Sequence, residues 1–402
     1  MIADRERPAL LFLAHRIPFP PDKGDKIRSY HFLKALCERY RVHLGCFVDD
    51  PADLAHLPQL ERMTESLCAV PIRPGLRKVT SLAAIFGRGS MSARFYRNRS
   101  LAAYVQRRLP EVTRALAFSS PMMQFLPDQS PALAICLADY VDVDSIKWAQ
   151  YAERKTPPLS WLYRLESRRL ARDEQRWAAR ARRVSFVSED EAGLFRNASQ
   201  ASSIEVLAIP NGVDATRFDP AIAYANPTQD AGPRVVFVGA MDYWANVDAV
   251  KWFVERCWPQ IQTRVPQARF QIVGRHPTTE VQKLADERVQ VTGGVADVRQ
   301  WLAHADVVVA PLRIARGIQN KVLEAMAMAR PIVASCEALE GIELPAELWQ
   351  RMSAKDAAAF ADKVIEQLTA PSCVACPQYR QFVLEHYSWQ AAAVRLERVF
   401  TG

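Results

Sequence analysis

Two successive rounds of short apolar runs alternating with helical patterns constrain this 402-residue chain more than any other feature. In the first round the runs at 10–14, 42–48, 67–72, 115–118, 133–138 and 184–187 hold no Asp, Glu, Lys or Arg, as strands buried on both faces require. Helical stretches lie between them at 27–39, at 101–108 and, rich in Arg and Glu at i,i+3 and i,i+4 spacings, at 161–183. Ser188 reads as the N-cap of a further helix over 189–195. The turn-rich Ile209-Pro210-Asn211-Gly212-Val213-Asp214 and a polar linker over 219–233 end this round. The second round places strands at 235–238, 269–273, 289–292, 307–310 and 331–334, and helices at 247–265, 281–285, 298–304 and 321–329. Such alternation predicts α/β domains on parallel sheets. The expected architecture is two doubly wound domains, 1–210 and 211–384, facing across a cleft. A last helix over 378–400 is expected to pack back on the first domain from about residue 385. Sheets of this kind bind ligands outside the carboxyl ends of their strands.

Composition narrows the class. Apolar residues make up 49% and charged residues 24%, which is ordinary for globular domains. Asp4 and Glu6 precede only a short apolar run at 9–14, which reads as a first strand and not as a signal peptide. No run approaches the ~20 apolar residues that span a bilayer. The eight cysteines sit mostly in apolar contexts, as reduced thiols of a cytoplasmic protein do. Cys373 and Cys376 lack a second pair at zinc spacing and read as incidental. The seven histidines form no metal-spaced pair. Asp142-Val143-Asp144 matches an Asp-x-Asp metal pair in letters alone, so no metal or other cofactor is expected. No Gly-x-Gly-x-x-Gly, Walker loop or Gly-x-Ser-x-Gly elbow is present, which disfavours dehydrogenases, NTPases and serine hydrolases.

The net charge of +8 is unevenly spread. Between Arg73 and Pro110 nine Arg or Lys residues and no acid are interleaved with Leu82, Ile85, Phe86, Met91, Phe95 and Tyr96. The segment fits docking at an anionic membrane or a lipid diphosphate, at the inner face of the cytoplasmic membrane. It also fits a solvated Arg-rich helix pair; nucleic acid is not the expected partner.

The stretch Gly317-Ile318-Gln319-Asn320-Lys321-Val322-Leu323-Glu324-Ala325-Met326-Ala327 carries the strongest sign of chemistry. A strand, a glycine and a helix start are the parts of an anion site, with free N–H groups and the positive dipole end facing the ligand. Lys321 adds charge for a diphosphate, and Glu324, on the same helix face, accepts from sugar hydroxyls. The stretch reads as a nucleotide-sugar site. Gly239, Gly274 and Gly293-Gly294 each end a strand of the second domain, where ligands bind, and Arg275 serves phosphate or is a surface charge. In the first domain, residues 18–26 with Gly24 form a candidate substrate loop between strand and helix, or an ordinary connection.

These pieces together resemble glycosyltransferase family 4 on a GT-B scaffold of two Rossmann-like domains. The carriers are the Gly24 loop, the 209–214 hinge, Val-Phe-Val-Gly at 236–239, Ile-Val-Gly-Arg at 272–275, and Leu-Glu-Ala-Met-Ala followed by Arg330-Pro331-Ile332-Val333-Ala334. More narrowly, three phrases resemble the exosortase-associated (PEP-CTERM system) sugar transferases of exopolysaccharide-producing bacteria. They are Asp139-Tyr140-Val141-Asp142-Val143-Asp144-Ser145, Gly239-Ala240-Met241-Asp242-Tyr243 with Asn246-Val247-Asp248, and the run from Ala310 through Lys321.

The resemblance implies a metal-independent, retaining enzyme that takes a nucleotide-sugar donor on the second domain and an acceptor on the first. It implies that Glu324 accepts from the donor ribose and that Val295 approaches the base through its main chain. Gly317, Ile318, Gln319 and Asn320 should face the sugar and diphosphate. This chain departs from the family at three places. The first acid of the Glu-x7-Glu pattern falls on Arg316, the usual Arg and Lys after Gly239 fall on Ala240 and Ala245, and the first-domain catalytic His has no match. Lys321, Arg316 or Arg275 then supplies the missing diphosphate charge, with Lys321 favoured. Asp139 or Asp142 orients the acceptor or stabilises an oxocarbenium-like transition state. The expected activity is transfer of a sugar to a glycan or polyprenyl-linked acceptor. A nucleotide-sugar epimerase and a non-catalytic nucleotide-sugar-binding protein are the alternatives.

Overall fold

The computed structural model describes residues 7–21, 24–81, 85, 87, 89–128, 133–153, 155–199, 203–228, 232–315, 317–370 and 375–401. The chain forms two compact units, residues 1–210 with 393–402, and residues 211–392.

In the first unit seven strands, β1 (Ala9–Ala14), β2 (Arg41–Val48), β3 (Ser66–Pro71), β4 (Arg114–Phe118), β5 (Ile135–Val141), β6 (Arg182–Phe186) and β7 (Glu205–Ala208), lie in the order 3-2-1-4-5-6-7. Every pairing is parallel. In the second unit β8 (Arg234–Val238), β9 (Arg269–Val273), β10 (Val289–Gly293), β11 (Val307–Ala310), β12 (Ile332–Ser335) and β13 (Ser353–Ala354) follow the order 10-9-8-11-12-13, again all parallel. These are the doubly wound sheets of the GT-B class. The strand order reverses between β1 and β4 and between β8 and β11, so each unit has one crevice at its carboxyl edge where a ligand fits.

Each sheet has its own core. Leu11, Leu13, Phe47, Trp177 and Phe186 are among the first unit's buried side chains, and Phe237, Phe253, Phe270, Val309 and Leu323 are among the second's. At the end of the chain, Arg114 and Arg183 of the first unit donate to the carbonyls of Phe400 and Val399, and Arg39 pairs with Glu397.

Several expected helices divide. Residues 247–265 are two helices, Trp244–Arg256 and Trp258–Arg264, because Pro259 has no N–H to continue the first ladder and instead starts the second. Residues 378–400 are likewise two, Pro377–His386 and Trp389–Thr401. Between them the Tyr387 carbonyl accepts from Val213 at 2.6 Å, and Ser388 Oγ accepts from the Ala391 N–H at 3.0 Å as a cap. The helix expected over 281–285 is a single turn, Thr279–Gln282. Strands β7 and β13 escaped the sequence reading, and β13 is only two residues long.

The basic segment at 73–110 is tied down by acids from the long helix Leu159–Ala181. Glu166, itself buried, accepts from the N–H groups of Met91 and Ser92 at 2.6 and 2.9 Å, and Asp173 from Ser90. The helix Pro74–Ser81 leaves Leu76 62% and Val79 66% exposed. Leu82 and Phe86 lie outside the described residues. No helix among the described residues is long and apolar enough to cross a membrane.

Candidate functional site

In the second unit the loops after β8, β9, β10 and β11 meet at the carboxyl edge. Those after β8, β9 and β10 are bonded one to the next: Gly239 N–H to the Val273 carbonyl at 3.0 Å, Met241 N–H to Arg275 at 2.9 Å, and Gly274 N–H to Gly293 at 3.2 Å. Contact is so close that a Cβ on Gly274 would stand 1.6 Å from the Gly239 carbonyl oxygen. Gly274 therefore serves loop against loop. Gly317 has φ +64, the left-handed region that favours glycine, and it turns the chain after β11 into the helix Asn320–Ala327.

That helix brings Lys321 and Glu324 to the edge. Lys321 Nζ donates to Asn246 Oδ1 at 2.5 Å and lies 4.5 Å from the centre of the Phe237 ring. Asn246 is held in turn by its amide, which donates to the Ala240 carbonyl at 2.9 Å. Burial pushes the Lys321 ammonium down to about 8, against the pull of Glu324. It pushes the Glu324 carboxyl up to about 7, against Arg217 and Lys321. A cation and an acid that both titrate near neutrality, one helical turn apart, are what a binding or proton-handling site looks like.

Around this pair Ile318 and Val295 are part-buried against the core, and Gln319 donates its side-chain amide to the Gly317 carbonyl at 3.2 Å. Asn320 is exposed at the helix start, and Arg275 is exposed with its carbonyl taken by Met241. Arg316 lies outside the described residues. Arg313 pairs with Asp248 across the same edge.

In the first unit the carboxyl ends of β1, β2 and β5 gather a second polar group. His15 Nε2 faces Asp25 Oδ2 at 3.2 Å, and its ring stacks on Phe118 at 5.7 Å. Arg16 joins Asp25 at 2.6 Å and Asp49 at 2.9 Å. Burial raises the Asp25 carboxyl, but the His15 bond and the charges of His15 and Arg16 outweigh it and hold it at about 2. Lys147 joins Asp142 at 2.5 Å and Asp144 at 3.5 Å. Burial holds Asp144 above the usual carboxylate range despite Lys147, and the neighbouring Asp142 adds to the rise. Two residues next to the strand ends, Ser119 and Val141, have φ of 77 and 71, conformations that non-glycine residues adopt at a cost and that cluster at functional sites.

Asp139 requires correction as an acceptor-facing group. It is 0% exposed; Arg28 donates to both its oxygens at 2.8 and 2.9 Å, and Ser185 adds a third bond at 2.9 Å. Its oxygens are consumed in holding the sheet to the helix Gly24–Arg39. Asp142, in contrast, is part-exposed beside Lys147. Gly24 opens its helix with nothing within 4 Å of where a Cβ would lie, and Asp22 and Lys23 before it are outside the described residues. Among the described residues no three His, Cys, Asp or Glu side chains stand together as metal ligands.

Residues 232–370 match the family described as glycosyl transferases group 1. Over these residues the chain is similar to a group 1 glycosyltransferase domain. The class of enzyme expected from the sequence, a glycosyltransferase, stands on that match. A comparison with curated proteins finds no match. Among solved structures the chain is similar to a glycosyltransferase from Rickettsia africae, at 12% identity over 98% of both chains with a TM-score of 0.63. It is similar to HepE of Anabaena in complex with UDP and glucose, at 15% identity over 98% of this chain and 100% of that one, TM-score 0.62. A UDP-forming trehalose-phosphate synthase from Burkholderia xenovorans matches at 11% identity over 98% of both chains, TM-score 0.59. At such identities the likeness establishes the fold.

In the second unit, sequence reasoning missed Arg217, whose charge acts on Glu324, and Asn246, the partner of Lys321. In the first unit it missed His15, Asp25 and Lys147. His15 follows directly on β1 as Gly239 follows on β8, and that position was the available signal.

Proposed function

We propose that this protein transfers a sugar from a nucleoside diphosphate sugar to a hydroxyl of a glycan or lipid-linked acceptor. The observation that carries the reading is the Lys321–Glu324 pair on the helix entered through Gly317, inside the stretch similar to a group 1 domain. In the reaction the acceptor oxygen bonds to the anomeric carbon, and the bond from that carbon to the diphosphate oxygen breaks with its electron pair. The hydroxyl proton leaves to a base, which in a retaining enzyme is the departing phosphate itself.

The group that must be stabilised is the diphosphate, which gains charge as it departs. Lys321 and the first N–H groups of the helix Asn320–Ala327 supply positive charge there. Glu324 accepts from the ribose hydroxyls, and the Val295 main chain meets the base. Gly317, Ile318 and Gln319 line the sugar and diphosphate, with Arg275 and Arg316 as further cations. No metal is needed in this scheme. Asp142, Asp144 and the His15–Asp25 pair are the first unit's chemistry for holding an acceptor hydroxyl.

The exposed Leu76 and Val79 beside Arg73 and Arg77 suit a cytoplasmic membrane face, where lipid-linked acceptors reside. The sequence phrases at 139–145 and 310–321 support a place in exopolysaccharide synthesis next to an exosortase system.

The test is incubation with UDP-glucose, the first donor to try because HepE was captured with UDP and glucose. Nucleotide release and sugar transfer are followed with and without acceptor. Lys321→Ala and Glu324→Ala are each expected to lower transfer ~10²–10³-fold. Full transfer by both variants sinks the site assignment. A changed sugar from donor alone shows an epimerase, and tight donor binding with neither transfer nor slow hydrolysis shows a binding protein.

A further inference from the structure

A cavity of about 990 Å³ opens on the first unit between the helices Met91–Tyr96, Arg99–Arg108 and Leu159–Ala181 and the turn Ser120–Phe125. None of the strand-end residues His15, Asp25, Asp142, Asp144 or Lys147 lines it. Five arginines do: Arg94, Arg97, Arg99, Arg176 and Arg180. Two carboxylates oppose them, and both are already engaged. Asp173 accepts from Ser90 Oγ at 2.7 Å and from Arg176 at 3.1 Å, and Asp128 takes Arg180 at 2.9 Å. Among the described residues Arg94, Arg97 and Arg99 make no ion pair. Five cations against two anions leave a lining with three positive charges unneutralised.

A second observation points the same way. Trp177 lines the cavity, is 1% exposed, and its buried indole N–H has no hydrogen-bond partner. Buried Trp N–H groups ordinarily find an acceptor, and a donor left over in a native interior calls for one. The Arg176 guanidinium lies 6.0 Å from the Trp177 ring centre, so the indole ring and the charge border the same space.

We propose that this cavity is an anion site for a diphosphate group, separate from the donor site of the second unit. One phosphate monoester brings roughly 1.5 to 2 negative charges, fewer than the lining offers. A diphosphate brings about three, and guanidinium forks match phosphate oxygens in pairs. The indole N–H supplies a directed donor where the arginines supply charge. A soluble pyrophosphate or nucleoside diphosphate carries this chemistry, and so does the head of a prenyl diphosphate lipid. The assignment stands on the first unit alone, and the sugar-transfer reading fails or holds independently of it.

Calorimetric titration of the full chain with inorganic pyrophosphate and with geranyl diphosphate tests the site. The Arg97→Glu/Arg99→Glu variant, altered at two exposed positions, is expected to bind at least tenfold more weakly with its thermal melting unchanged. Trp177→Phe keeps most of the packing and removes the N–H; weakening of several-fold is expected. Lys321→Met, which acts in the second unit, is expected to retain this binding. Tighter binding of geranyl diphosphate identifies a lipid-borne source, and equal binding a soluble one; either agrees with the site. Parent-like affinity in Arg97→Glu/Arg99→Glu, or no pyrophosphate binding at millimolar concentration, overturns it. Tighter binding of a single-stranded oligonucleotide than of either diphosphate also overturns it.

Discussion

The ammonium of Lys321 donates to the side-chain oxygen of Asn246 at 2.5 Å, joining two elements 75 residues apart in sequence. A neutral amide positions the cation without cancelling its charge, so the charge remains available to an anion at the same edge. Changing Asn246→Asp puts a carboxylate there instead. That carboxylate is expected to raise the Lys321 pKa above its present value of about 8 and to weaken UDP binding at pH 7 by roughly tenfold. Isothermal titration at several pH values reads both effects, and unchanged affinity removes Asn246 from the site.

The same pair predicts a bell-shaped pH profile for donor affinity. Lys321 loses its charge as pH rises through about 8, and Glu324 gains its charge as pH rises through about 7. Binding that needs an ammonium and a carboxylate is therefore strongest between those values and falls on either side. Glu324→Gln should remove the acid limb and Lys321→Met the alkaline one. A profile that keeps both limbs in both variants assigns the titration elsewhere.

Asp139 separates structural from catalytic carboxylates. Asp139→Asn leaves the buried Arg28 charge without its bidentate partner, and about 3–5 kcal/mol of stability is expected to be lost. Urea unfolding measures the loss. Asp142→Asn, at a part-exposed position, should change stability by less than about 1 kcal/mol and act on transfer instead.

Glu174 makes stability depend on pH in the opposite sense to an ordinary salt-bridged acid. Burial holds its carboxyl at about 8, although Ser145 bonds to both its oxygens at 2.5 and 3.2 Å. The folded chain thus keeps a proton that the unfolded chain releases near pH 4.5, so stability is full below that value and falls as pH rises toward about 8. Thermal melting is expected to drop across this window by an amount worth on the order of a few kcal/mol. Glu174→Gln should flatten the drop, and an equal slope in the variant excludes Glu174 as its source.

Much of the fold was legible because buried parallel strands leave an unmistakable trace: Val307-Val308-Val309-Ala310 has no other sensible reading. The Lys321–Glu324 pair was legible for a local reason, the fixed three-residue step of a helix. What stayed hidden was long-range. Asn246 meets Lys321, and Arg28 meets Asp139 across 111 residues, through tertiary packing that no local pattern encodes. Asp139 was misread for that reason, since a carboxylate beside a strand end looks the same in sequence whether it faces solvent or an arginine. The same holds for His15, whose partner Asp25 lies across a loop.

The bonded series from Gly239 to Val273, Met241 to Arg275 and Gly274 to Gly293 has an entropic consequence. Three loops that would otherwise wander separately are held as one surface before anything binds. A ligand reaching that edge orders few backbone dihedrals, so more of its contact energy survives as affinity. Discrimination there therefore falls to individual side chains such as Lys321 and Glu324, while the backbone beneath them acts as a fixed template that one methyl group on Gly274 is enough to displace.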